Sequence, residues 1–165
     1  MAQPRPRDQQ YILWFNELRN IDVKLVGGKN ASLGEMFSLL TPKGVRIPNG
    51  FAVTAAAYFH FLDTNGIRDQ IKDILATVDT TDMKNLSARG AKIRQLITES
   101  TFPEDLRKEI IDNYRKLEKE YAKNVDVAIR SSATAEDDPD ASFAGQQETY
   151  LEISGTEAFL HSVRK

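Results

Sequence analysis

The sequence predicts an α+β fold with a largely helical middle section and a small mixed or antiparallel sheet. Apolar residues recur at helical spacing through most of residues 54–122, and after Asn124 the period changes to the alternation of a strand. A chain of 165 residues with 41% hydrophobic residues can also bury one core. We therefore expect one domain over residues 11–165, preceded by a loose N-terminal tail over residues 1–10.

The composition excludes several functional classes. The formal net charge is −2 and no basic cluster stands out, which argues against a nucleic-acid partner. The chain has no cysteine, so it has no disulfide, thiolate metal site or cysteine nucleophile, and a reducing compartment is favoured. Residues 1–10 contain no apolar run that would form a signal peptide or membrane anchor. These observations predict a cytoplasmic protein without a membrane partner.

The first third of the chain predicts two short strands separated by a helix. Residues 11–15 form an apolar cluster typical of a strand, and a polar stretch leads from it to the break at Gly27-Gly28. A helix is predicted from about Asn30 to the turn at residues 41–44. A second turn at residues 47–50 precedes the next predicted strand, over residues 51–53.

The middle of the chain predicts four helices. The first has Thr54 as its N-cap, closes at Asn65-Gly66, and places Tyr58, Phe59 and Phe61 in the core. The last begins with capping-box spacing between Thr101 and Glu104. The other apolar positions at helical spacing are Ile67, Ile71, Ile74, Leu75 and Val78, then Leu86, Ile93, Leu96 and Ile97, and finally Leu106, Ile110, Tyr114, Leu117 and Tyr121.

The pattern of residues 125–165 predicts a hairpin and a helix. Val125, Val127 and Ile129 share one face of a strand, which puts Arg130 on the other face. A second extended segment over residues 148–153 is expected to pair with it across a long loop. An amphipathic helix begins at Thr156 without a stop signal, so we expect a domain that is truncated at its C-terminus.

The tripeptide Gly27-Gly28-Lys29 is the first candidate for binding a phosphate. Glycines permit close backbone approach, the helix start offers free N–H groups, and the lysine supplies an ammonium. A Walker phosphate loop is excluded, because its first glycine would fall at Val23 and its Ser or Thr at Asn30. The tripeptide alone also fits a tight turn with a solvated lysine, so both interpretations stay open.

Arg130 is the second candidate. It stands at a strand end beside the hydroxyls of residues 131–134, where a guanidinium would be held rigidly enough to bind an anion. The small residues 141–147 could close over a nucleotide as a lid. The alternatives are a strand-end arginine paired with a carboxylate and an ordinary loop.

Metal binding and histidine chemistry are not predicted. The acidic run of residues 136–140 is interrupted by Pro139 and lacks the glycine and distal glutamate of a calcium loop. His60 and His161 have no acidic or hydroxyl partner evident in the sequence, so structural roles are expected for both.

Three segments together resemble the phosphoenolpyruvate synthase family in order and spacing. They are residues 26–36 (VGGKNASLGEM), 48–54 (PNGFAVT) and 128–137 (AIRSSATAED), and the third continues through residues 139–151 (PDASFAGQQETYL). The motifs span nearly the whole chain from Tyr11. Pyruvate phosphate dikinase and rifampicin phosphotransferase share this module, so the motifs indicate the module more firmly than the phosphate acceptor.

The resemblance implies the first half of an ATP-grasp domain, a fold in which two halves clamp ATP. By motif position, Lys29 and Arg130 would contact the ATP phosphates, and Gly145 and Thr149 would belong to the lid. The Mg²⁺ ligands, the phosphohistidine and the pyruvate-binding domain of the family would lie beyond Lys165. No catalytic or metal-binding residue is therefore assigned within this chain.

The resemblance also implies an activity for a longer protein. ATP would phosphorylate a histidine, and pyruvate, ATP and water would become phosphoenolpyruvate, AMP and phosphate. The remaining domains of the same chain and pyruvate would then be its partners. Two alternatives stay open: another phosphotransferase that shares the module, and a stand-alone nucleotide-binding module without catalysis.

Overall fold

A computed structural model describes residues 5–134 and 148–165, which form seven α-helices and four short strands. The strands are β1 (Ile12–Trp14), β2 (Phe51–Val53), β3 (Val127–Arg130) and β4 (Thr149–Ile153). The helices are α1 (Val23–Val26), α2 (Gly28–Leu40), α3 (Ala55–Thr64), α4 (Arg68–Leu75), α5 (Met83–Glu99), α6 (Glu104–Glu120) and α7 (Thr156–Arg164). Within these ranges no helix has the length and apolar character needed to cross a bilayer.

The strands form two separate antiparallel pairs. Strand β1 pairs with β2, with Leu13 opposite Ala52, and β3 pairs with β4, with Arg130 opposite Thr149. The second pair contains an irregularity opposite Ala128, where Glu152 adopts a left-handed φ of 55°. The predicted combination of helices with small antiparallel sheets, including the long-looped hairpin, is confirmed.

Helix α3 begins where the sequence predicts it. The side-chain oxygen of Thr54 accepts a hydrogen bond from the Ala57 N–H at 3.2 Å and donates one to the Gln10 carbonyl at 2.6 Å. Because Thr54 is buried, both bonds are shielded from water. The N-cap therefore fixes the helix start to the chain just before β1.

The capping box predicted at Thr101 and Glu104 is wrong. Pro103 takes the N-cap position and α6 begins at Glu104, with no side-chain hydrogen bond at the cap. A residue before proline disfavours the helical region, so Phe102 cannot be the first helical residue that the box requires. Glu104 and Asp105 instead place negative charge in the first turn, where the helix dipole favours it.

A larger core joins β1 to four helices. Its buried members are Ile12, Ala57, Phe61, Leu62, Ile67, Ile71, Leu106, Ile110, Ile111, Tyr114, Phe159 and Leu160. Tyr114 is fully buried and stacks on Phe159, with 4.5 Å between ring centroids. The stripe on α6 thus packs against α7, as its regular spacing indicates.

A smaller core lies on the other face of β1. Leu13 packs there with Leu18, Val26, Ala31 and Ala52, which fixes α2 against the two-stranded sheet. Because successive side chains of a strand point to opposite faces, Ile12 enters the larger core while Leu13 enters the smaller one. Strand β1 is therefore common to both cores.

The core position predicted for Tyr58 and Phe59 is wrong. These rings are 46% and 44% exposed, whereas Phe61 of the same cluster is buried. The apolar arc of α3 is wider than the surface it packs against, so these two rings remain at its margin. The guanidinium of Arg68 covers the Phe59 ring at 4.7 Å.

Part of the expected N-terminal tail is described, and it contacts the domain. Residues 1–4 lie outside the described residues, and Arg7–Gln9 form one short 3-10 helix. The Arg5 guanidinium lies 3.7 Å from the centroid of the Tyr11 ring and donates a 2.8 Å hydrogen bond to Glu109 on α6. The domain boundary at residue 10 stays a prediction.

Candidate phosphate-binding site

The structure brings the two predicted phosphate-binding motifs together. The start of α2 lies against the chain that follows β3, with the Gly28 N–H 3.4 Å from the Ala133 carbonyl oxygen. The Asn30 N–H approaches Ser132 Oγ at 3.4 Å, and Lys29 Nζ lies 3.4 Å from the Ser131 carbonyl oxygen. We call this contact between residues 27–30 and 131–133 the junction.

Gly27 allows the junction to close. Its backbone has φ 80° and ψ 162°, a combination that is essentially restricted to glycine. A Cβ atom at this position would lie 2.3 Å from Ser132 Oγ and 2.9 Å from the Ala133 carbonyl oxygen. The glycine is therefore required both by its own conformation and by the approach of the second motif.

The junction also changes one expectation about the helix start. The sequence predicts that the N–H groups at the start of α2 are free, but those of Gly28 and Asn30 point at Ala133 and Ser132. Both contacts are long for N–H···O bonds, which are usually 2.7–3.2 Å. The prediction of free N–H groups is therefore wrong for these two residues.

Arg130 stands at the end of β3 next to the junction. Its side chain is on the exposed face of the strand, while Ile129 packs against the larger core. The Ser131 N–H and hydroxyl each lie 3.4 Å from the Glu148 carbonyl oxygen, which extends the hairpin by one residue. The backbone of Arg130 is therefore held between the strand pair and the junction.

Three of the four predicted site residues lie at or beside the junction. Lys29 contacts Ser131, the neighbour of Arg130, and Thr149 pairs with Arg130 across the sheet. Gly145, like the rest of the predicted lid over residues 141–147 and the acidic run over residues 136–140, lies outside the described residues.

Ser132 is the site residue whose role the sequence did not reveal. The sequence indicates the hydroxyls after Arg130 as possible anion ligands, but the partner of Ser132 is Asn30, 102 residues earlier. A contact of that separation leaves no periodic signal. The N-cap of α2 is Gly27, which has no side chain to accept hydrogen bonds from the first-turn N–H groups. This glycine is the one local sign that α2 needs an acceptor from elsewhere in the chain.

In residues 5–134 and 148–165, no three His, Asp or Glu side chains are grouped so that they could hold a metal ion. A shallow cleft of about 370 Å³ lies near β1 and α6, lined by Trp14, Asn16, Glu17, Asn49, Lys116 and Glu120. None of the junction residues lines this cleft. The candidate site consists of Lys29 in the junction and Arg130 beside it, and the cleft is not part of it.

His60 has the partners that the sequence did not show. Its Nε2 lies 3.0 Å from Asp105 Oδ1, its Nδ1 lies 3.5 Å from Thr64 Oγ1, and its ring stacks on Tyr11. The hydrogen bond from His60 is the main cause that lowers the pKa of the Asp105 carboxyl from its ordinary value of 3.8. These contacts join α3 to α6, which fits the expected structural role.

Comparison with known proteins identifies what the chain is similar to. Residues 23–165 match the family described as "Pyruvate phosphate dikinase, AMP/ATP-binding domain". The phosphoenolpyruvate synthase of Aquifex aeolicus is 52% identical over 159 residues, which cover 96% of this chain and 19% of that protein. The phosphoenolpyruvate synthase of Escherichia coli is 48% identical over 153 residues, covering 93% of this chain and 19% of that protein.

A third relative gives the same proportions. The phosphoenolpyruvate synthase of Neisseria meningitidis serogroup B is 54% identical over 146 residues, which cover 88% of this chain and 18% of that protein. The chain thus spans about a fifth of the length of the curated relatives it matches. The junction residues 27–30 and 131–133 fall within the matched family domain.

Proposed function

This chain belongs to the pyruvate phosphate dikinase AMP/ATP-binding domain family, and from that membership we propose that it forms the first part of the ATP site of a phosphoenolpyruvate synthase. The observation that carries the proposal is the junction. It holds Lys29, in the first turn of α2, against the residue next to Arg130, so two cationic residues from distant parts of the chain come close together. Nucleotide phosphates are a ligand that such a pair of cations suits.

Lys29 and Arg130 position the phosphates and neutralise their charge. Phosphoryl transfer depends chiefly on in-line placement and on stabilising the charge of the phosphate oxygens, so two well-placed cations contribute without taking part in bond making. Thr149 and Gly145 belong to the region that closes on the nucleotide. Support for Thr149 comes from its pairing with Arg130.

The proposal also assigns roles to the remaining part of a longer protein. The chain supplies the first half of an ATP-grasp domain in the cytoplasm, and the second half, contributed by residues beyond 165, completes the clamp on ATP. Mg²⁺ accompanies the nucleotide, and residues 5–134 and 148–165 contain no group of three His, Asp or Glu side chains placed to hold it. As the family resemblance implies, the Mg²⁺ ligands, the phosphohistidine and the pyruvate site belong to the remainder of the protein.

The proposed reaction of the whole protein converts pyruvate, ATP and water to phosphoenolpyruvate, AMP and phosphate. The β-phosphate of ATP passes to a histidine and then to the enol oxygen of pyruvate, and the γ-phosphate passes to water. The names of the relatives favour pyruvate as the acceptor. Within that reaction, this chain has the role of binding ATP.

The test is ATP binding by the full-length protein, measured by calorimetry in the presence of Mg²⁺. Replacement of either cation, Lys29→Ala or Arg130→Ala, is expected to weaken ATP binding at least about tenfold, the loss expected for a charge-assisted contact. Lys24→Ala and Arg115→Ala remove exposed cations on α1 and α6 and should leave the affinity unchanged. If all four variants bound ATP as tightly as the unsubstituted protein, the assignment of Lys29 and Arg130 as phosphate ligands would be disproved.

The acceptor is tested separately, by following the products. Pyruvate-dependent formation of AMP and inorganic phosphate in equal amounts is expected from the unsubstituted full-length protein. Formation of pyrophosphate, with inorganic phosphate consumed, would identify a pyruvate phosphate dikinase instead. Phosphorylation of a rifamycin hydroxyl would identify an antibiotic-modifying phosphotransferase.

A further inference from the structure

Helix α2 starts without a capping side chain of its own, since its N-cap is Gly27. The Asn30 N–H, which an N-cap side chain would ordinarily satisfy, instead approaches Ser132 Oγ at 3.4 Å. Resting on the proposed function, we propose that Ser132 is a positioning residue: its hydroxyl caps α2 from the second motif and so fixes the spacing between Lys29 and Arg130.

A second observation supports this role independently of the hydrogen bond. The Ser132 hydroxyl occupies the space that a side chain at position 27 would fill, since an added Cβ would lie only 2.3 Å from Ser132 Oγ. The hydroxyl therefore sits in a slot that exists only because residue 27 is glycine. Close packing in this slot holds the two segments together even though the hydrogen bonds are long.

The position of Ser132 explains how it acts on the two cations. Lys29 lies between Gly28 and Asn30, and both of those N–H groups point at residues 132–133. Arg130 lies two residues before Ser132 and is held by its pairing with Thr149. Two cations that bind one polyphosphate must be placed to within about half an ångström, so the contact between their supporting segments sets their effectiveness.

The first test is amide hydrogen exchange, which does not depend on ATP. In the unsubstituted protein the Asn30 amide should exchange more slowly than an unbonded amide in the first turn of a helix. Ser132→Ala should accelerate exchange at Asn30 by at least about twofold, the lower limit for loss of an N-cap, and Ser132→Thr, which keeps a hydroxyl, should restore protection. The amide of Ala31, bonded to the Gly27 carbonyl at 3.1 Å, serves as the internal reference.

Two exchange results would overturn the proposal. An Asn30 amide without protection in the unsubstituted protein would do so with no variant needed, even if Ser132→Ala failed to fold. Unchanged protection at Asn30 in Ser132→Ala would do so as well. Ser87→Ala removes an exposed hydroxyl from α5 and controls for general effects of the substitution.

The second test is the affinity of the full-length protein for ATP with Mg²⁺. Ser132→Ala should weaken binding about twofold to thirtyfold, the range that loss of an N-cap implies, while Ser132→Thr retains it and Ser87→Ala has no effect. Unchanged binding in Ser132→Ala, together with weaker binding in Lys29→Ala and Arg130→Ala, would reject the positioning role and keep the proposed function. Tighter binding would show that the hydroxyl competes with phosphate for the helix start, which also rejects it.

The two proposals can fail separately. If neither cation variant weakens ATP binding, the proposed function fails. Faster Asn30 exchange in Ser132→Ala would still establish the capping contact, but its link to ATP would be rejected with the cations. If Ser132 had only a structural role, Ser132→Ala would lower thermal stability, and Ser132→Thr would not recover the affinity for ATP.

Discussion

At the scale of single residues, Gly27 controls the closest approach in the candidate site. Its φ and ψ lie in a region that other residues rarely adopt, and Ser132 and Ala133 leave no room for a side chain there. Gly155 has nearly the same conformation, with φ 81° and ψ 146°, but no atom lies within 4 Å of the position its Cβ would take. Comparison of the two glycines therefore separates backbone strain from crowding.

We expect Gly27→Ala to lower the free energy of unfolding by at least about 2 kcal/mol, because strain and overlap act together. Gly155→Ala should cost less, because it adds only the strain of the same backbone conformation, about 1–3 kcal/mol. Urea unfolding of both variants measures the difference. Equal costs would mean that the junction can relax around a methyl group.

The carboxylate of Asp105 gives the stability a pH dependence. Its pKa is lowered in the folded state, first by the hydrogen bond from His60, so its contribution is present above the unfolded-state pKa and is lost as pH falls through the folded value. Asp105→Asn should therefore be less stable than the unsubstituted protein near neutral pH, and the difference should shrink as pH falls below the ordinary pKa of 3.8 and vanish below the lowered folded-state pKa. Unfolding free energies measured across the acid range test this.

The His60→Ala background provides the control for that prediction. Without the imidazole, the pH-dependent part of the Asp105→Asn effect should shrink, because the principal cause of the lowered pKa is gone. A stability difference between the Asp105→Asn variant and the unsubstituted protein that stays constant across the acid range would contradict the linkage.

At the scale of secondary-structure elements, sequence periodicity correctly predicts the features that depend on residues close together in the chain. The apolar stripe of α6 from Leu106 to Leu117 and the Thr54 cap of α3 are confirmed because both depend on residues within a few positions. Tyr121, the last member of the predicted stripe, lies beyond α6 and is 48% exposed. The Thr101 capping box is wrong because the proline at 103 overrides a favourable spacing. The exposure of Tyr58 and Phe59 depends on what α3 packs against, which its own sequence does not contain.

Helix α6 connects to two later segments through Tyr114. The buried hydroxyl donates a hydrogen bond to the Val125 carbonyl at 3.1 Å and accepts one from the Gly155 N–H at 2.9 Å. It therefore fixes the chain just before β3 and just before α7. Removal of the hydroxyl would leave two half-buried backbone groups without this partner.

Tyr114→Phe is expected to lower the free energy of unfolding by about 1–3 kcal/mol, because it removes two hydrogen bonds made by a fully buried side chain. Tyr121→Phe is the matched control: its hydroxyl accepts a hydrogen bond from the Asn49 N–H, but the side chain is 48% exposed, so water replaces the bond. That control should change stability by less than about 1 kcal/mol. Chemical denaturation compares the two, and equal losses would refute the role of burial.

At the scale of the whole molecule, the sequence predicts the residue types of the candidate site but not its assembly. Gly27, Lys29 and Arg130 each attract attention through local chemistry, and the resemblance links them to a nucleotide. Their apposition depends on contacts between residues 102 positions apart, which leave no trace in a local pattern. The partners of His60 and Tyr114 were missed for the same reason.

The two cores should unfold together, because β1 contributes Ile12 to one and Leu13 to the other. We expect Leu13→Ala to cost about 2–5 kcal/mol and to lower hydrogen-exchange protection in α2 and α6 alike. Leu75→Ala, at a side chain that is 56% exposed, should change stability by less than about 0.5 kcal/mol. Loss of protection in α2 alone would show that the cores are separate cooperative units.

Trp14 gives the molecule a built-in optical reporter of this organisation. It is the chain's single tryptophan; its indole N–H donates a 2.8 Å hydrogen bond to Asn113 of α6, and its ring lies 5.6 Å from that of Phe51 in β2. Indole fluorescence therefore arises from one place, where α6 meets the first sheet. A shift in emission maximum during denaturation would time the separation of these elements without a chemical label.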